Sequence, residues 1–262
     1  MKFTKMQGLG NDYLYLFGEV PENAPELSIK WSDRHFGVGS DGMIWVSPSS
    51  IADFKMSIFN ADGSEAKMCG NGIRCVGKFV YDYGYTDKTS LKIETRSGIR
   101  TLELKICDGK AIGASVDMGI AEVDSPFVLS FDDESAELTP VSMGNPHAVI
   151  FVDDIKNAPL TTLGRKIERA KEFPDGVNVE FIEVLERNKL RMRVWERGSG
   201  ITMACGTGAC ASAVAAIVKG CCDYSTPITV TLDGGDLTIT VAPDKKVTMD
   251  GPANTVCECE TV

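Results

Sequence analysis

The chain has 262 residues, of which 43% are hydrophobic and 24% charged, and a formal charge of −10. That length can bury a core in one large or two ordinary domains, and the acidic balance argues against a nucleic-acid partner, which needs a basic footprint. No apolar run approaches a membrane span, and Met1-Lys2-Phe3-Thr4-Lys5 turns polar too early for a signal peptide; the nine cysteines, with Cys221 beside Cys222 and Cys257 alternating with Cys259, fit reduced thiols in a cytoplasmic protein rather than a secreted disulfide framework.

In chain order, Gly10-Asn11 precedes an apolar run at 13–17, and a short helix is predicted from about 25 to 33. A second helix is predicted over 72–83, with Ile73, Val76, Phe79 and Val80 inward and Lys78 and Asp82 outward. Alternation predicts strands at 91–95 and 102–106, after which patterning weakens between Gly113 and Glu134, where a linker is expected. Gly144-Asn145 then precedes an apolar run at 148–152, and 190–194 alternates again. A helix over 207–219, stopped by Gly220, is followed by runs at 228–232 and 237–241 around Asp233-Gly234-Gly235-Asp236, a hairpin signal. Residues 208–218 carry no charged side chain, so that helix is expected to be buried all round, with a sheet curved about it.

Two stretches resemble each other. Asn60 to Gly72 and Glu196 to Gly208 each carry a Gly-Ser step, a Met and then Cys-Gly-X-Gly, with Cys69 and Cys205 136 positions apart. Gly10-Asn11 returns as Gly144-Asn145 at an offset of 134, and 39–44 has a looser echo in 176–181. Ordered landmarks at nearly one offset point to an internal duplication. The expected fold is α/β (α+β), with two similar domains, each a mainly antiparallel, barrel-like sheet wrapped around a central helix.

A cysteine just before a helix start has backbone N–H groups pointing at its sulfur, which favours the thiolate and should lower its pKa. The flanking glycines leave N–H groups for a bound carboxylate. Two such modules suit inversion of a stereocentre, where a base on one face and an acid on the other exchange roles. The alternatives are structural cysteines, a Cys-His hydrolase using His35 or His147, and a metal site among Cys221, Cys222, Cys257 and Cys259, whose spacing matches no usual zinc pattern. Cys75, Cys107 and Cys210 are expected to pack as small hydrophobes, and Asn71 and Thr207 could cap the helices.

Gly8-Leu9-Gly10-Asn11-Asp12, Asp33-Arg34-His35-Phe36-Gly37-Val38-Gly39, the block 59–75, Gly144-Asn145-Pro146-His147, Gly176-Val177-Asn178-Val179-Glu180-Phe181 and Glu196-Arg197-Gly198 through Cys205-Gly206-Thr207-Gly208 together resemble the diaminopimelate epimerase family. The resemblance implies interconversion of LL- and meso-2,6-diaminopimelate in lysine biosynthesis, without pyridoxal phosphate, metal or nucleotide, by a cytoplasmic homodimer. It also implies domains at 1–115, completed by a returning strand at 254–262, and at 116–253. Cys205 would take the α-proton of the LL substrate and Cys69 would return one. The N–H groups of Gly70, Asn71, Gly206 and Thr207 would hold the reacting carboxylate. Asn11, Asn60, Asn145, Asn178, Glu196 and Arg197 would grip the distal amino-acid end, with His147 near the reacting centre. Gly42 stands where many relatives carry Gln, and Gln7 where His is frequent. The runner-up is a proline racemase or hydroxyproline epimerase, whose substrates have no distal amino acid.

Overall fold

Stretches of alternating apolar residues form the strands, and the two glycine-cysteine blocks open the central helices. The computed structural model describes residues 1–131 and 134–261. Asp132 and Asp133 of the expected linker, and Val262 of the expected returning strand, lie outside the described residues. The chain separates into two units, Met1–Asp117 with Asp250–Val262, and Met118–Met249. The stretch expected as a linker contains the strands Lys110–Ile120, Glu122–Val123 and Phe127–Ser130. Its alternation is real: Ala111, Ala114, Val116 and Met118 are buried, so the chain changes unit within a strand.

In the first unit, Lys2–Gly8 pairs antiparallel with Asn11–Phe17 and with the returning strand Asn254–Glu260. Asn11–Phe17 runs parallel to Gly42–Pro48, which is antiparallel to Phe54–Asn60. Phe54–Asn60 then meets Ser90–Thr95 in parallel, and a hairpin leads on to Gly98–Cys107. Helix α1, Ala24–Ser32, lies against Gly42–Pro48 and Phe54–Asn60, with Trp31 against Phe3 and the core cluster that includes Leu14, Met43, Trp45 and Phe59. The other sheet face takes helix α2, Gly70–Asp82, whose residues 70–80 are all buried.

This burial corrects the expected outer face of α2. Lys78 is buried, and its ammonium pairs with Asp82 at 2.6 Å and with the Ala111 carbonyl, while Asp82 accepts the Ala111 amide at 2.9 Å. A helix wrapped by a sheet has no solvated face, so its charges must be met by partners. Arg74, wholly buried, does the same with the carbonyls of Gly70 and Pro252 and the side chain of Asn71.

The second unit repeats the scheme. Ser135–Ser142 is antiparallel to Pro146–Phe151, which runs parallel to Asn178–Glu186. Asn178–Glu186 is antiparallel to Lys189–Glu196, which is parallel to Ile228–Leu232, and a hairpin leads to Gly235–Val241. The short helix α3, Arg165–Glu168, covers one face together with Leu160 and Leu163. Helix α4, Gly206–Val218, touches six of these strands and is buried along almost all its length, as its chargeless sequence predicts. Gly220, at φ 81°, takes the left-handed conformation that ends it. Helices α2 and α4 both have 13 residues.

Candidate active site

In the first unit, Cys69 is the N-cap of α2, in extended backbone conformation, and its Sγ accepts the Gly72 N–H at 3.3 Å. The thiol donates to Asn11 Oδ1 at 3.2 Å. Asn11 is fixed in turn by Asp41, whose Oδ2 accepts Asn11 Nδ2 at 2.8 Å and the Asp12 N–H at 3.0 Å. Arg34 bridges Asp41 and Asp12, and Lys5 adds a second cation to Asp12. Gln7 Oε1 accepts the Gly10 N–H at 2.8 Å, tying the tight turn, left-handed at Leu9 and Gly10, that delivers Asn11. Asn60, at the end of its strand, donates to Ser64 Oγ at 3.0 Å. The buried Asn71 accepts from Arg74 at 3.0 Å.

In the second unit, Cys205 is the N-cap of α4 and its Sγ accepts the Gly208 N–H at 3.3 Å. The caps are thus the cysteines themselves rather than Asn71 and Thr207. Thr207 Oγ1 lies 3.6 Å from Cys205 Sγ and 3.4 Å from Asn145 Nδ2. Asn178 Oδ1 accepts the Arg197 N–H at 2.9 Å, and the exposed Arg197 rests on Gly176 and donates to the Asp175 carbonyl at 2.9 Å. Glu196 accepts from the Thr202 hydroxyl. His147 Nδ1 and Glu180 Oε1 are 2.7 Å apart, both side chains fully buried. A Cβ on Gly208 would stand 2.6 Å from Glu180 Oε1 and 3.2 Å from Cys205 Sγ, so this carboxylate lies under the first turn of α4.

The surroundings of the two cysteines match position for position. Tyr13 pairs with Gly42 across parallel strands as His147 pairs with Asn178. A Cβ on Gly72 would meet Ile44 Cδ1 at 2.8 Å, where Gly208 would meet Glu180. Asn60 and Glu196 end equivalent strands. At three matched places, therefore, the first unit carries Tyr13, Ile44 and Asn60, and the second carries the ionisable His147, Glu180 and Glu196.

This asymmetry overturns one expectation. Burial pushes the Cys205 thiol well above its ordinary range, and the charges of Glu196 and Glu180 push the same way, outweighing Thr207 and the Gly208 N–H. The helix-start field is present, yet desolvation beside two carboxylates wins. Burial likewise raises the Glu196 carboxyl despite its bond from Thr202.

The residues proposed from the sequence divide between the two units. Asn11, Asn60, Gly70 and Asn71 accompany Cys69, while Asn145, His147, Asn178, Glu196, Arg197, Gly206 and Thr207 accompany Cys205. Gly42 has a steric reason: a Cβ there would sit 2.2 Å from the Phe59 carbonyl, so a Gln requires the backbone to move. Sequence reasoning assigned no role to Asp41, Arg74 or Glu180. The signal for Glu180 was a lone charge two residues after Asn178, on the same strand face, in an apolar run. Among the other cysteines, Cys75 and Cys210 are buried as expected, but Cys107 is exposed because it closes a strand just before the Asp108-Gly109 turn. Cys257 and Cys259 hold their sulfurs 3.5 Å apart, and among the described residues no group of three or more His, Cys, Asp or Glu could hold a metal ion.

The family model described as diaminopimelate epimerase matches residues 3–123 and 139–256. A protein of that name from Bacillus licheniformis is 49% identical, covering 99% of this chain and 97% of its own. One from Methanococcus maripaludis is 50% identical, covering 99% of both. Among solved structures, a phenazine biosynthesis protein of the PhzF family from Bacillus anthracis superposes with a TM-score of 0.79 at 18% identity, over 100% of this chain and 99% of that one. A hydroxyproline epimerase from Agrobacterium vitis gives 0.73 at 16% identity, over 99% and 91%. These structural likenesses show the fold, and the two curated relatives, alike over almost the full length, show the family: the chain belongs to the diaminopimelate epimerases.

Proposed function

We propose that this chain interconverts LL- and meso-2,6-diaminopimelate in lysine biosynthesis, without a cofactor, using Cys69 and Cys205. The observation that carries the assignment is the duplicated cap: in each unit a cysteine sulfur receives the N–H of the third helical residue, at 3.3 Å in both. Two equivalent acid–base groups are what a reversible inversion needs.

In the LL-to-meso direction the Cys205 thiolate takes the α-proton and becomes a thiol. The Cys69 thiol then delivers a proton to the opposite face of the same carbon and becomes a thiolate. In reverse the roles exchange. The raised Cys205 thiol fits the first step, since its thiolate, once formed, is a stronger base toward a weakly acidic C–H. Charge developing on the substrate carboxylate would be met by the N–H groups of Gly70, Asn71, Gly206 and Thr207, each donor worth about 2.7 to 4 kcal/mol by analogy with oxyanion sites. Asn11, Asn60, Asn145, Asn178, Glu196 and Arg197 would hold the distal end, with Arg197 supplying a planar donor for the distal carboxylate.

No helix among the described residues is long and apolar enough to cross a membrane. We read the protein as a cytoplasmic homodimer with diaminopimelate as its small-molecule substrate and no nucleic-acid partner. A substrate panel tests the assignment. LL-diaminopimelate should be epimerised, lysine should be poorer by about two orders of magnitude in kcat/KM because the distal donors go unmet, and proline and 4-hydroxyproline should be inert. Turnover of the cyclic amino acids without diaminopimelate would favour the racemase reading instead.

A further inference from the structure

We propose that Glu180 is a positioning residue for this reaction, holding the His147 imidazole as its Nδ1–H tautomer so that Nε2 is the ring atom left for the substrate. The inference rests on the epimerase reading. The 2.7 Å contact needs one shared proton, and with Glu180 ionised its oxygen accepts and Nδ1 is the atom that donates. Both side chains have no exposed surface, which leaves no water to compete for that bond.

The plain alternative is that the pair serves stability. Buried ion pairs are weak stabilisers, because desolvation offsets their attraction. Moreover, the first unit places Ile44 where the second places Glu180, each beneath the third residue of the central helix. The fold therefore accepts an apolar side chain at the equivalent place in the first unit, where Tyr13 stands instead of a histidine. The pair is also incompletely satisfied: His147 Nε2 and Glu180 Oε2 have no hydrogen-bond partner among the described residues. A pair kept for stability alone would be expected to use its remaining atoms. Glu180 also borders Cys205, since one methyl on Gly208 would touch both its Oε1 and the sulfur. Imidazole, carboxylate and reacting thiol thus meet at one helix start.

The chain has only two histidines, so a His35→Asn protein reports His147 alone in a nitrogen-15 NMR spectrum. Without substrate and near neutral pH, His147 should show a protonated Nδ1 and an unprotonated Nε2; an Nε2–H tautomer, or the averaged pattern of a free imidazole, would overturn the proposal. Glu180→Leu, mimicking the Ile44 side of the duplication, should fold, lose the fixed tautomer and lose about 100-fold or more in kcat, with KM changed by less than about threefold. Retention of the tautomer, or kcat within about twofold of the parent, would equally overturn it. If the leucine variant does not fold, Glu180→Ala, which also removes the acceptor, is measured in its place with the same criteria. A parent protein inert toward diaminopimelate would count against the functional reading, while the tautomer, read without substrate, would still decide the positioning claim.

Discussion

Gly208→Ala and Gly72→Ala are the same change at equivalent places, and they should differ sharply. In the second unit the new methyl would lie 2.6 Å from Glu180 Oε1 and 3.2 Å from Cys205 Sγ. That oxygen has little room to retreat, because it is bonded to His147 at 2.7 Å between wholly buried side chains. Overpacking of this kind costs about 1 to 3 kcal/mol, and loss of a buried pair about 3 to 5 kcal/mol. Against this stands a helix-propensity gain of about 1 kcal/mol for Ala over Gly. With the pair broken rather than merely crowded, the net expectation for Gly208→Ala is a loss of about 2 to 4 kcal/mol. In the first unit the methyl would meet Ile44 Cδ1 at 2.8 Å and Met56 Cε at 3.0 Å, the far ends of flexible side chains. Shifting such a side chain off its rotamer costs about 0.5 to 1.5 kcal/mol, which the propensity gain nearly cancels. Urea unfolding of the two variants and the parent at neutral pH measures the difference. Stabilities of the two variants within about 0.5 kcal/mol of each other would refute the account of Glu180 as a rigid group under α4.

Three further outcomes are expected. Cys69 is half-buried whereas Cys205 is buried with its thiol pushed up, so iodoacetamide near neutral pH should label Cys69 at least about tenfold faster; peptide mapping that finds Cys205 first contradicts this. Burial raises the Asp233 carboxyl but Arg191 and Arg193 outweigh it, leaving it below the usual range. A depressed carboxyl contributes stability that is present above its unfolded pKa of about 3.9 and lost as pH falls through the folded value, so Asp233→Asn should flatten the acid limb of stability against pH; an unchanged limb refutes the assignment. Arg197 is exposed and touches the fold mainly through the Asp175 carbonyl and Gly176, so Arg197→Met should cost about 100-fold or more in kcat/KM for diaminopimelate with little change in Tm, and equal activity would remove Arg197 from the distal grip.

Much of this architecture was legible because its signals are local. Glycine beside cysteine marks a helix start, and the chargeless run 208–218 allows only a helix enclosed on every side. The duplication was visible because both halves must repeat the same tight turns. What stayed hidden depends on partners distant in sequence. Periodicity placed Lys78 opposite the apolar stripe of α2, but it could not reveal that the strand carrying Ala111 closes over that side. The helix start at Cys205 suggested a lowered thiol pKa, whereas burial and the carboxylates of Glu196 and Glu180, brought by two separate strands, reverse the direction. Gly42 looked like a missing side chain and proves to be a close approach to the Phe59 carbonyl. In each case the residue type was read correctly and its surroundings decided its role.

The central claim is inversion at one α-carbon by two thiols with solvent-exchangeable protons. It is tested most directly by incubating the reduced protein with LL-diaminopimelate in deuterium oxide, without added cofactor, and following product and label together. The account predicts meso-diaminopimelate carrying solvent deuterium at a single α-carbon, with both signals abolished in Cys69→Ala and in Cys205→Ala. Folded, reduced protein that yields neither meso product nor α-deuterium, or a Cys205→Ala variant that still inverts the centre, would contradict it.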